Sequence, residues 1–137
     1  MQLINLYLRK KEHEIQEGVS EASLLRKQQQ LLQSEQDDLA RRYAGIVKHV
    51  PATAEEAMMN HRYLEQLHRR IQGIEQALET TAAELQKVLQ ALSLNHGEKK
   101  AIETFEKKAH RNVQRAVLRR ENESAYESFS HRTYTAR

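Results

Sequence analysis

The sequence predicts an all-α protein, a two-helix antiparallel coiled-coil hairpin with a longer second helix. Three observations carry this. Only 5% of the 137 residues are aromatic, with four glycines, one proline and no tryptophan, which is poor material for a globular core. Gln, Glu, Ala, Leu, Lys and Arg dominate instead, and their side chains lose least freedom in a helix. Apolar residues recur with a 3.5-residue period on both sides of the only proline, Pro51.

The first helix, about 3–49, follows from Ile4, Leu8, Lys11, Ile15, Gly18, Ala22, Leu25, Gln29, Leu32, Gln36, Leu39, Tyr43, Ile46 and Val50, ten of which are apolar or aromatic. A narrow seam sustained this long belongs to a coiled coil rather than to a globular helix. Lys11, Gln29 and Gln36 loosen it.

Pro51 lacks an N–H and pushes the preceding residue out of the α region, so a turn is expected at about 50–53. Thr53 to Glu56, "TAEE", has the form of a capping box, in which the two side chains satisfy each other's free backbone N–H groups. The second helix, about 54–130, has a cleaner seam of Leu64, Leu67, Ile71, Ile74, Leu78, Thr81, Leu85, Val88 and Leu92. Residues 131–137 are expected to fray.

A short connection implies antiparallel packing. Folding at the turn pairs residues whose numbers sum to about 103, placing Leu39 by Leu64, Leu32 by Ile71, Leu25 by Leu78 and Ile15 by Val88, with Gly18 leaving room for Leu85. Helix 1 would be about 70 Å long and helix 2 about 115 Å at 1.5 Å per residue. Roughly thirty residues of helix 2 would then overhang, including the stretch from Gly97 to Asn122.

Net charge is +3, too mild to demand a polyanionic partner. It is uneven: residues 98–137 hold ten basic and six acidic side chains, and the rest hold twelve and thirteen. Arg111 to Arg120, "RNVQRAVLRR", partly echoes a leucine-zipper basic region, but no leucine heptads follow to dimerise it. Ile102, Phe105, Ala109, Val113 and Ala116 extend an apolar stripe beyond helix 1 that needs a cover. His61, Glu65 and His68 share a helix face without a further strong ligand, so a solvated polar face is expected there rather than a metal site. Cysteine is absent, which excludes disulfides and thiolate sites. No apolar run approaches the roughly 20 residues of a membrane span, and "MQLINLYLRKK" has no cleavage-site pattern. A cytosolic non-enzyme without cofactors is expected, since a two-helix hairpin offers no concave pocket.

Four segments in order, "LYLRKKEHEIQEG" (Leu6 to Gly18), "YLEQLHRRIQGIEQALE" (Tyr63 to Glu79), "EKKAIETFEKK" (Glu98 to Lys108) and "RRENESAYESF" (Arg119 to Phe129), resemble the FliJ family. This is the small coiled-coil component of the bacterial flagellar type III export apparatus. The resemblance covers nearly the whole chain. It implies a stalk, similar to that of F-type ATPases, seated in the hexameric ring of the export ATPase FliI. The stalk would promote ring assembly, link the ring to the export gate FlhA and handle emptied export chaperones. FliI with FliH would supply ATP hydrolysis, at the inner membrane's cytoplasmic face.

Carried over to this chain, the resemblance implies gate binding by Tyr63, Leu67, Arg70 and Ile74. Ring contacts are expected from Lys99, Lys100, Ile102, Phe105, Lys107, Arg111, Arg115 and Arg119 on the overhang. Leu67 and Ile74 also lie on the intramolecular seam, so the two expectations conflict. Pro51 favours a hairpin that is monomeric alone. Tyr126 stands before Glu127 where the family commonly has aspartate. That departure leaves open the YscO-type stalk of virulence secretion systems, and an unrelated structural coiled coil is the further alternative.

Overall fold

The computed structural model describes residues 2–135. It is an all-α hairpin of two helices, α1 (Gln2–Lys48) and α2 (Ala54–Thr135). The expected boundaries differ mainly at the C-terminus, where α2 is helical through Thr135 rather than to about residue 130; residues 136 and 137, part of the segment expected to fray, lie outside the described residues. The helices pack as two compact units, one of residues 13–95 and one combining the N-terminal segment through Glu12 with α2 from His96 onward.

The turn forms because both helix ends find local partners. The His49 N–H closes the last turn of α1 onto the Ile46 carbonyl at 3.1 Å, and Pro51 follows. At the start of α2 the Glu56 N–H donates to Thr53 Oγ1 at 3.2 Å. The return bond differs from the expected box: Glu56 Oε2 accepts from the Ala52 N–H at 3.0 Å rather than from Thr53. Glu56 Oε1 also meets His49 Nε2 at 2.8 Å, so one carboxylate ties the end of α1 to the start of α2.

Within the unit of residues 13–95 the predicted seam is buried or partly buried except at Tyr43 and Val50, which are exposed. Leu39, Leu67 and Ile74 form one cluster, with Leu32, Ile46, Ile71 and Leu78 packed on it. Ile15, Ala22 and Leu92 form another, with Leu85 and Val88 alongside. Thr81 is the one polar member buried there, and its hydroxyl donates to the Ala77 carbonyl at 2.7 Å, so no donor is left unpaired.

The register differs from expectation. Gly18 faces Leu92, not Leu85, one heptad farther along α2, and Leu39 clusters with Leu67. A shift of three or four residues, like one of seven, brings another position of the same seam opposite, so apolar periodicity is blind to it. The close fit of Leu92 against a residue without a Cβ selects this alignment: a Cβ on Gly18 would lie 2.6 Å from Leu92 Cδ2.

The other unit tolerates a lysine on its seam. Lys11 has a side chain only 12% exposed and pairs with Glu98, while its ammonium lies 5.4 Å from the centre of the Tyr7 ring. Beside it Lys99 bridges Glu12 at 3.5 Å and Glu103 at 3.9 Å. The loosening expected at Lys11 is thus compensated by charge.

Candidate interaction surfaces

The register decides which residues are available to a partner. Lys11–Glu98 and Glu12–Lys99 bring the N-terminal segment of α1 against the beginning of the stretch thought to be bare. Glu98, Lys99, Ile102, Glu106 and Ala109 are all partly buried. Exposure becomes continuous only from His110, and every residue from there to Arg132 is exposed. The overhang is therefore shorter than expected and starts about a dozen residues later.

The expected ring contacts divide accordingly. Lys99 and Ile102 belong to the packing between α1 and α2, and Lys99 is engaged by two carboxylates. Phe105 is 66% exposed and stands off the seam, where Glu106 takes the position the apolar stripe assigned to it. Lys100, Lys107, Arg111, Arg115 and Arg119 are exposed. Val113, Val117 and Leu118 add exposed apolar surface to the overhang.

The expected gate contacts divide too. Leu67 is 1% exposed and Ile74 is buried with it, so both are core residues and neither can meet a partner while the hairpin is closed. Tyr63 keeps 42% of its surface exposed, and Arg70 is exposed while reaching Glu35 at 3.5 Å. A long-range pair this exposed contributes little to stability and leaves the guanidinium accessible.

Sequence reasoning missed the apolar surface around the turn. Val47, Val50, Met58 and Met59 are all largely exposed, next to Tyr63 in sequence. The signal was present for Val47, Met58 and Met59, which fall between the seam positions Ile46, Leu64 and Leu67, and methionine suits adaptable surfaces; Val50, expected on the seam, lies past the end of α1 and is exposed.

The electrostatics are those of solvated helices. The Ala52 N–H, and then the hydrogen bond from His49, hold the Glu56 carboxyl below the ordinary glutamate range. His61 reaches Glu65 at 3.2 Å on an exposed face. No group of three metal-ligating side chains occurs among the described residues. The hollows along the helices are open grooves; one of about 330 Å³ lies beside Gly18, between Glu17, Glu21, Lys87 and Leu92. No helix among the described residues is long and apolar enough to cross a membrane. No protein-family model, curated protein or solved structure matches the chain.

Proposed function

We propose that this chain is the stalk of a type III export ATPase, of the FliJ kind, acting on the cytoplasmic side at the periphery of the inner membrane. The observation that supports the reading best is the run from His110 to Arg132, a basic helical extension whose every residue is exposed. Paired helices, each about 10–12 Å across, make a rod about 20 Å wide, narrow enough for the pore of a hexameric ring. In this reading Lys100, Lys107, Arg111, Arg115 and Arg119 contact the FliI ring, FliH and FliI carry out hydrolysis, and this chain contributes no catalysis. Tyr63 and Arg70, with the apolar surface at the turn, meet the FlhA gate, and export chaperones are further clients.

The test is steady-state ATP hydrolysis by the export ATPase of the same organism, titrated with this chain at low and moderate salt. Stimulation that saturates near about one chain per six ATPase subunits supports the stalk. No change, with the chain helical by circular dichroism, overturns it in favour of an unrelated structural coiled coil. Loss of swimming rather than loss of effector secretion on deletion separates the flagellar stalk from the YscO-type one.

A further inference from the structure

At about 100° per residue, Lys100, Lys107, Lys108, Arg111 and Arg115 fall within a strip about 100° wide on α2. The strip points away from the side where Ile102, Glu106 and Ala109 are partly buried. All five cations are exposed, and among the described residues none pairs with a carboxylate. The strip contains no acidic residue: Glu103 and Glu121 lie near its border, and Glu98, Glu106, Glu123 and Glu127 lie on the other side.

Farther along, the same strip changes character. Leu118, Tyr126 and Phe129 continue it and are 56%, 74% and 68% exposed. Cations and then large apolar groups thus share one side of one helix over about 44 Å at 1.5 Å per residue. The side that packs on α1 does not continue in this way: after Val113 and Ala116 it runs into Arg120, Glu123 and Glu127.

We propose that this strip binds the surface of an anionic lipid bilayer, with α2 lying parallel to it. Charge sign selects an anionic partner, because the strip is free of carboxylates. Leu118, Tyr126 and Phe129 select a bilayer over a nucleic acid, because their apolar bodies enter the boundary between headgroups and acyl chains while a phosphodiester backbone gives them nothing to bury against. Collinearity selects a plane: every member can touch one flat surface at once. Basic side chains near such a surface add attraction individually and are screened by salt. The inference does not depend on the stalk reading. It adds that ring and membrane compete for Lys107, Arg111 and Arg115.

The experiment is co-sedimentation of the full chain with vesicles of phosphatidylcholine alone or with about one-third phosphatidylglycerol, at low and high salt. The expected result is binding to the anionic vesicles only, weakened at high salt. Lys107→Glu with Arg111→Glu should reduce the partition about tenfold or more, and Leu118→Ser with Phe129→Ser should also reduce it. Arg120→Glu, on the other side of the helix, should leave it within about twofold. Equal loss with Arg120→Glu, or no loss with Lys107→Glu and Arg111→Glu, overturns the assignment to this strip. Retention of binding by Leu118→Ser with Phe129→Ser, or tighter capture by polyglutamate or duplex DNA than by vesicles, overturns the bilayer as occupant. Circular dichroism checks that each variant is helical, and the ATPase is absent throughout, so failure here is independent of the ring titration.

Discussion

Replacing Gly18 with alanine reads the register directly. In a helix interior the change gains about 1 kcal/mol from reduced chain entropy and better propensity. At Gly18 the new Cβ would stand 2.6 Å from Leu92 Cδ2 and 3.0 Å from Cγ, and Leu92 is held in the cluster with Ile15 and Ala22. Overpacking of this kind costs about 1–3 kcal/mol, so the net change runs from about zero to a loss of about 2 kcal/mol. Gly73 is the control, since a Cβ there meets nothing within 4 Å; Gly73→Ala should stabilise by about 0.5–1 kcal/mol. The assay is urea unfolding followed by helical circular dichroism. In a Leu92→Ala background the obstruction is gone and Gly18→Ala becomes stabilising, giving a coupling energy of about 1–3 kcal/mol, whereas coupling to Leu85→Ala stays within about 0.5 kcal/mol. Stabilisation by Gly18→Ala equal to that of Gly73→Ala, or stronger coupling to Leu85, would refute the register.

Leu67→Ala should cost about 2–4 kcal/mol and Tyr63→Ala less than about 1 kcal/mol in the same assay, because Leu67 is core and Tyr63 is surface. Thr53→Ala removes the acceptor for the Glu56 N–H and should cost about 1 kcal/mol. Glu56 has a folded pKa below its unfolded one, so its contribution is present above the unfolded value and is lost as pH falls through the folded one. Acid titration of turn stability should show this loss, and Glu56→Gln should abolish it. Lys11→Met should change stability by less than about 1 kcal/mol in either direction, since methionine keeps the packing of a side chain 12% exposed while Glu98, 39% exposed, can still be hydrated; a loss above about 3 kcal/mol would mean that Glu98 is left a desolvated, unpaired charge. Deleting residues 110–137 should leave the pairing of α1 with α2 intact by circular dichroism while ATPase stimulation drops, and full stimulation by the truncated chain would remove the overhang from the ring.

The candidate surfaces were only partly legible in the sequence. Lys107, Arg111 and Arg115 could be placed on an exposed helix from charge alone, and they are exposed. Leu67 and Ile74 could not serve both as core and as docking contacts, and burial decides for the core. Lys99 reads as a free cation in one dimension, yet Glu12, more than eighty positions earlier, lies 3.5 Å from it.

By itself the sequence determined two helices, their seams and the turn. These depend on local matters: a 3.5-residue apolar period, a proline without an N–H, and a threonine and a glutamate three positions apart. Tertiary structure alone decided how far α1 runs along α2, and hence where the overhang begins. A shift of a few residues along the seam keeps the two apolar faces opposed, so Leu85 and Leu92 are equivalent to the pattern. They differ only in whether a side chain fits against the missing Cβ of Gly18 and whether Lys11 meets Glu98.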